Sequence, residues 1–319
     1  MRIILVGQAA FAERVLERLL ERGDHVAAVY CPPDRPGAKP DPVKVRATER
    51  GVPVRQHGSL RRAEVEREFR DARAELAVLA YVTQIVPASV IDIPDHGTIC
   101  FHPSLLPRYR GGSAINWQII RGETRTGVTV FWTDAGIDTG PILLQKTAEI
   151  GAEDTAGSLY YDRLFPLGVD AVVEAVAAIE AGTAARVPQD EREASYDPLC
   201  RDEHALVSWD RPVREVHDLI RGCDPQPGAF VGMQDGKLRL YDVSLGAFPG
   251  ASHGPAEVRA GAATAAPGTI VAIGPERIEV ASRDGTLSIG RVRPEGASKV
   301  QAAEFARAVG LRIGTRLGA

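Results

Sequence analysis

Residues 2–30 read RIILVGQAAFAERVLERLLERGDHVAAVY, and this stretch decides the fold class. RIILV is a short apolar run rich in β-branched residues, Gly7 breaks it, and Phe11, Val15, Leu16, Leu19 and Leu20 then recur at helical spacing. His25–Tyr30 (HVAAVY) reads as a second strand, and Glu75–Tyr81 (ELAVLAY) as another after a charged helix over Leu60–Phe69. Strands that are apolar throughout and separated by amphipathic helices are parallel and buried on both faces. The expected fold is therefore α/β, an open, mostly parallel, Rossmann-like sheet. The first turn carries one glycine where a dinucleotide fingerprint needs three, which argues against NAD. Ligands of such sheets sit beyond the carboxyl ends of the strands, so the site belongs to loops after later strands.

Farther along, Ile142–Ile150 continues the sheet and Ser158–Ile179 reads as one long helix. Residues 182–205 turn polar and proline-bearing, as a connection between domains does. Beyond them KLRLYDV, GTIVAI, RIEVAS and TLSIGRV are short strand-like runs, with Asp235-Gly236 and Asp284-Gly285 as hairpin turns and an Ala, Gly and Pro-rich loop over Gly246–Pro267. A length of 319 residues predicts about two domains. We place them at 1–200, carrying the chemistry, and 201–319, a small β-barrel like the oligonucleotide-binding class.

Composition excludes several classes. With 44% apolar and 25% charged residues the chain is ordinary for a globular protein, no apolar run is long enough to span a bilayer, and the N-terminus lacks a secretory layout. A cytoplasmic location without membrane contact is the expectation. Four scattered cysteines form no CxxC pair, which argues for reduced thiols and no metal. The formal net charge of −4 gives no global attraction to nucleic acid, although Arg277–Ala319 by itself carries +4.

The chemistry concentrates in Gly97–Gln145, GTICFHPSLLPRYRGGSAINWQIIRGETRTGVTVFWTDAGIDTGPILLQ. His102 stands at the carboxyl end of a strand, where an imidazole is suited to proton transfer near neutrality. Val128–Trp132 is a second strand, whose end delivers Asp134 and Asp138 on a glycine-bearing loop. Two readings stand side by side here: an acid/base pairing of Asp138 with His102, or two aspartates that cap the loop through Asx turns.

The same stretch resembles the folate-dependent formyltransferase family, whose pattern is Asn-x-His, then Ser-Leu-Leu-Pro, then Asp-x-Gly-x-Asp-Thr-Gly. His102, Ser104–Pro107 and Asp138 fall on those positions, and the likeness runs over essentially the whole chain, including Pro33-Asp34-Arg35-Pro36, Pro42-Val43-Lys44-Val45 and Trp209. Ile115-Asn116-Trp117, Phe131-Trp132 and Leu164-Phe165-Pro166 are most similar to the formyl-hydrolysing domain of 10-formyltetrahydrofolate dehydrogenases. The methionyl-tRNA formyltransferases share the architecture.

The resemblance implies 10-formyltetrahydrofolate as co-substrate, no metal, and His102 and Asp138 as catalytic residues. It implies a folate pocket from Gln84, Ile85 and Val86, the turn Ser104, Leu105, Leu106 and Pro107, and the Asp134–Asp138 loop. It also exposes a departure: Cys100 stands where the transferases have Asn, and a thiol is a weak donor to a developing oxyanion. We read Cys100 as a packing or weakly polarising residue rather than a nucleophile. The formyl acceptor is an amine, with methionyl-tRNA reached through the C-terminal domain, or water, which would make the protein a hydrolase. A third alternative is a folate- or tRNA-binding module without catalysis. Arg108 and Arg110 are candidates for an anionic tail or acceptor, or are solvated.

Overall fold

β1 (Arg2–Gly7) runs parallel between β2 (His25–Cys31) and β4 (Leu76–Ala80), and its residues Ile3, Ile4 and Leu5 are wholly buried. The computed structural model describes residues 1–234, 236–246 and 265–318. With β3 (Val54–Gln56), β5 (Thr98–His102), β6 (Arg125–Trp132) and β7 (Ile142–Glu149), the first sheet has the order β3-β2-β1-β4-β5-β6-β7. Its first five strands are parallel, whereas β6 and β7 run antiparallel to their neighbours. The order turns back between β1 and β4, so the crevice at their carboxyl ends is open to a ligand. A cleft lies there, bordered by Gln8, Tyr30, Cys31, Tyr81, Thr83 and Gln84.

The helices met along residues 1–180 are α1 (Ala9–Glu21), α2 (Pro42–Glu49), α3 (Ala63–Ala72), α4 (Ala88–Ile91), α5 (Ala114–Ile120), α6 (Ala156–Leu159) and α7 (Phe165–Glu180). The expected single helix over 158–179 is in fact α6, a π-turn over Tyr160–Leu164, and α7. The reason is Pro166: a proline has no N–H to give to a continuous helix and is accepted only in a first turn, which is where α7 places it. α3 starts three residues later than the charge pattern predicts.

Two opposite faces of the sheet are filled by different aromatics. On one, Phe11 of α1 stacks on Phe101 of β5 with ring centroids 4.2 Å apart and meets the edge of Phe165 at 5.5 Å. On the other, Val65 and Phe69 of α3 pack with Tyr30, Val82, Val86 and Cys100. Gly7 owes its identity to this packing: a Cβ there would lie 2.2 Å from the carbonyl oxygen of Ala80 and 2.8 Å from Cβ of Ala12. The glycine lets β1, β4 and α1 close up and serves no phosphate fingerprint.

Packing divides the chain into two compact units. The first comprises Met1–Ala114, Arg125–Glu149 and Tyr161–Pro198; the second comprises Ile115–Thr124, Ile150–Tyr160 and Leu199–Ala319. The second unit holds α8 (Val213–Gly222), β8 (Phe230–Met233), β9 (Gly236–Leu245), β10 (Ile270–Ile273), β11 (Ile278–Ala281), β12 (Thr286–Pro294), β13 (Val300–Gln301) and a last helix, Ala302–Ala308. All its ladders are antiparallel, in the order β10-β11-β12-β9-β8 with β13 on β12. Asp235 of the expected hairpin turn, and residues 247–264 of the expected loop over Gly246–Pro267, lie outside the described residues.

The strand period explains how this sheet serves both a core and a charged face. Leu238, Leu240 and Val292 point into a core shared with Ile220 of α8 and Trp209. The alternate positions Lys237, Arg239 and Tyr241 face the other way, with Arg293 opposite Arg239 and Arg291 opposite Tyr241. Asp202 binds the Lys237 ammonium at 2.6 Å and the Arg239 guanidinium at 2.8 Å. These two donors hold its carboxyl at a pKa of about 2. Cys200 and Cys223, 23 positions apart, bring their sulfurs to 3.9 Å, a proximity that spacing does not reveal.

Two stability predictions follow from this packing. Phe11→Ala removes a ring that is 1% exposed and lies between two others, and its expected cost is about 3–5 kcal/mol in urea unfolding. A carboxyl whose folded pKa is depressed stabilises the fold above its unfolded pKa and loses that contribution as pH falls toward the folded value. The thermal midpoint of the wild type is therefore expected to fall faster than that of Asp202→Asn between about pH 4 and pH 2.

Candidate active site

The pleat of β5 determines which of its side chains can reach a ligand. Phe101 and Ile99 point toward α1 and α7, so Cys100 and His102 share the opposite face. His102 is 5% exposed. Its Nε2 lies 2.8 Å from the carbonyl oxygen of Tyr109, and a carbonyl accepts only from an N–H, so Nε2 carries a proton. Nδ1 is left as the nitrogen available for proton traffic, and it faces the Asp138 carboxylate at 3.5 Å.

Asp138 does not reach His102 by the route that the strand order suggests. β6 is antiparallel to β5, with Trp132 paired to Ile99 and Thr129 to His102. The loop after β6 therefore begins at the amino end of β5 and turns back to bring Asp138 to the carboxyl end. Asp138 adopts a left-handed conformation, φ 58°, which is unusual for a residue with a side chain. Its Oδ2 also accepts from the backbone N–H of Gly111 at 2.8 Å. Gly111 itself has φ 103°, and a Cβ there would lie 2.8 Å from the carbonyl oxygen of Asp197.

The two aspartates divide the roles that the sequence left open. Asp134 Oδ1 accepts from the Gly136 N–H at 2.9 Å and from the Thr139 hydroxyl at 2.6 Å, an Asx cap that shapes the loop. Asp138 makes the contact with the imidazole.

The Ser104–Pro107 turn is tied to the neighbouring strands. Ser104 and Leu106 are buried. The Ser104 hydroxyl donates to the Arg108 carbonyl at 2.7 Å, and the Thr129 hydroxyl donates to the Ser104 carbonyl at 2.6 Å. Gln145 donates to the Leu106 carbonyl at 2.8 Å, while Leu105 lies over Gly127. Around the other candidate loop, Gln84 exchanges hydrogen bonds with the backbone of His57 and Leu60. Val86, partly buried, packs against the same core cluster as Cys100, and Ile85 is 59% exposed.

Burial, and next to it the Asp138 charge, push the Cys100 thiol well above its ordinary pKa. The thiolate needed for nucleophilic attack is suppressed at neutral pH. Arg110, read from sequence as an anion binder or a solvated residue, is neither. It is buried, its guanidinium gripping Glu191 at 2.7 and 2.9 Å and Gln189 at 2.8 and 3.2 Å. Gln189 and Glu191 fall in the polar stretch that composition assigns to a connection, and nothing local in that stretch marks them. Among the described residues no cluster of metal-ligating side chains occurs.

Iodoacetamide at mildly alkaline pH is expected to label Cys200 first, because the hydrogen bond from Cys223 lowers its pKa. Cys100, Cys223 and Cys31, all pushed up and the last of them to about 11 by burial, are expected after it. Mass mapping checks the order, and early labelling of Cys100 would contradict the inert role.

Comparison with known proteins adds the following. Residues 1–176 match the formyl transferase family and residues 200–310 its C-terminal domain. The methionyl-tRNA formyltransferase of Geobacter metallireducens is 38% identical, over all of this chain and 99% of that protein. The mitochondrial 10-formyltetrahydrofolate dehydrogenase of Mus musculus is 44% identical over 77% of this chain, which amounts to 27% of that longer protein. The crystal structure of HypX from Aquifex aeolicus in complex with tetrahydrofolic acid superposes with a TM-score of 0.67 at 20% identity, covering 96% of this chain and 47% of that one. An N-formyltransferase from Helicobacter canadensis, in complex with folinic acid and dTDP-3-aminofucose, does so at 0.65 and 18%, covering 91% and 99%. No helix among the described residues is long and apolar enough to cross a membrane.

Proposed function

The chain belongs to the formyl transferase family, and on that premise we propose that it moves the formyl group of 10-formyltetrahydrofolate to the amine of methionyl-tRNA. The observation that carries the reading is the His102–Asp138 pair, Nδ1 to Oδ2 at 3.5 Å, facing the same side of β5 as Cys100. The donor supplies an activated one-carbon unit, and the protein's residues have to bind it, orient it and manage one proton.

His102 Nδ1 takes the proton that the attacking amine gives up as its nitrogen bonds to the formyl carbon, and returns it to the departing folate nitrogen. Asp138 stabilises the imidazolium formed between those two events. Because Nε2 stays bonded to the Tyr109 carbonyl, the ring cannot turn away while it changes charge. For the folate, exposed Ile85 offers an apolar contact, and the backbone of Gln84–Val86 and of the Asp134 loop offers alternating donors and acceptors for a pterin edge. The Ser104–Pro107 turn, anchored to Thr129 and Gln145, would form the rigid wall behind it.

The methionyl-tRNA acceptor is supported by the full-length likeness to the Geobacter protein. It is also supported by the face of β9 and β12, where Lys237, Arg239, Arg291 and Arg293 lie on one side of the sheet, a basic face of the kind that meets phosphates. One observation favours a second reading, hydrolysis of the donor by water. Cys100 gives the developing oxyanion no amide donor, a loss typically worth ~10²- to 10³-fold in rate.

The two readings separate in one experiment. With 10-formyltetrahydrofolate alone, tetrahydrofolate release is expected to be slow, and methionyl-tRNA is expected to accelerate it. Fast release without acceptor supports the hydrolase instead, and ligand binding without any product would leave only a binding module. His102→Ala and Asp138→Asn are each expected to lower kcat at least ~10²-fold with the thermal midpoint little changed. Full activity in either variant would refute the assigned roles.

A further inference from the structure

The segment from Val187 to Asp197 looks like a linker in the sequence but behaves in the fold as a strap across both catalytic loops. It docks on β7, where Val187 and Ile142 exchange backbone hydrogen bonds at 2.8 and 2.9 Å. Near its other end Ser195 is fastened to the loop after His102. The Ser195 N–H donates to the Pro107 carbonyl at 3.2 Å, its hydroxyl oxygen accepts from the Tyr109 N–H at 2.7 Å, and its carbonyl accepts from the Arg110 N–H at 2.9 Å.

Between these anchors, Gln189 reaches the other loop. Its Nε2 donates to the Asp138 carbonyl at 2.9 Å and to the Gly140 carbonyl at 2.7 Å. Its Oε1 accepts from Arg110 Nη2 at 2.8 Å and Nε at 3.2 Å, and Arg110 is clamped in turn by Glu191. Every hydrogen-bonding position of the Gln189 amide nitrogen is thereby used, and the amide bridges the His102 side of the site to the Asp138 side.

We propose that Gln189 is a positioning residue for formyl transfer, holding the left-handed turn at Asp138 so that its carboxylate stays against His102; this rests on the function proposed above. Three observations converge on it. Asp138 sits at φ 58°, a conformation that persists in a residue with a side chain only where the surroundings over-determine it. Apart from the Gly111 N–H on the Asp138 carboxylate, the loop bearing it is shaped from within, by the Asp134 cap, while Ala135, Gly136 and Ile137 are exposed. And the two carbonyls that flank the turn, those of Asp138 and Gly140, are the two that Gln189 holds. A misplacement of about 1 Å in a catalytic group is enough to cost ~10²-fold, so the backbone clamp matters as much as the carboxylate.

Gln189→Glu is the decisive variant, because it keeps the shape and an oxygen for Arg110 but removes both N–H donors and turns an oxygen toward the two carbonyls. The expected result is a kcat reduced ~10- to 100-fold, with the KM for 10-formyltetrahydrofolate and the thermal midpoint nearly unchanged. In an Asp138→Asn background the same change is expected to add less than about twofold, since groups acting as one unit are not additive. A crystal structure of Gln189→Glu is expected to show the Asp138 carboxylate displaced from the Gly111 N–H and from His102.

Should Gln189→Glu fail to fold, Glu191→Gln, which loosens Arg110 but leaves the Gln189 donors in place, is expected to give a smaller loss of the same kind. An unchanged kcat in the folded variant, a fully additive loss, or an undisplaced Asp138 overturns the proposal. A wild type that turns over with neither methionyl-tRNA nor water refutes the functional reading instead, and the displacement of Asp138 then still decides the positioning role.

Discussion

The site depends on the two-residue period of β5. Phe101 is held by Phe11, which itself rests on the edge of Phe165, on one side of the sheet, so its neighbours Cys100 and His102 can only face the other. A slip of one residue would bury His102 among the α1 and α7 aromatics and turn Phe101 into the ligand crevice. The stacked aromatic contact, remote from any substrate, thus determines which side chains meet it. Gly7 contributes to the same end, because the close approach of β1, β4 and α1 that it allows seats Phe11 over β5.

The second constraint is direction. With β6 antiparallel to β5, the hairpin to β7 starts at the wrong end of the sheet for an acid/base partner of His102. The loop has to fold back and adopt a left-handed turn at Asp138, and a turn of that kind needs external support. The Asp134 cap, the Gly111 N–H and the Gln189 amide provide it from three directions. Arg110 and Glu191 then serve as the buried anchor of the strap. A half-satisfied guanidinium in such a place would be costly, and here both of its partners are present. The same economy appears in the second unit, where one strand period yields a core of Leu238, Leu240 and Val292 and an opposite face of Lys237, Arg239 and the buried Tyr241.

Most of the sheet was legible because its signals are local. β1, β2 and β4 are apolar runs bounded by breakers, and α1 shows its buried stripe directly. The short strands β3, β8 and β13 were missed, since two to four residues carry no readable period, and the long helix was overextended through Pro166. His102 and Asp138 stood out because a strand-end histidine and a glycine-bearing aspartate loop are patterns in consecutive residues. Gln189, Glu191 and Ser195 did not, because each acts on residues about 50 to 90 positions away, and a glutamine in a polar stretch looks like any other. The proximity of Cys200 to Cys223 was hidden for the same reason.

The amino-acid sequence by itself determined the alternation of buried strands and amphipathic helices, the switch to short antiparallel strands after residue 205, and the presence of His102, Asp138 and Cys100 at one locus. Those properties depend on side-chain chemistry and on periods of two and 3.6 residues, which a linear chain displays. Only the tertiary structure decided that Asp134 caps its loop while Asp138 meets Nδ1 of His102, that Arg110 is an internal anchor, and that a connecting segment straps the site. Each of those outcomes is a matter of distance between groups far apart in the chain, and distance is set by how the sheet directs its loops.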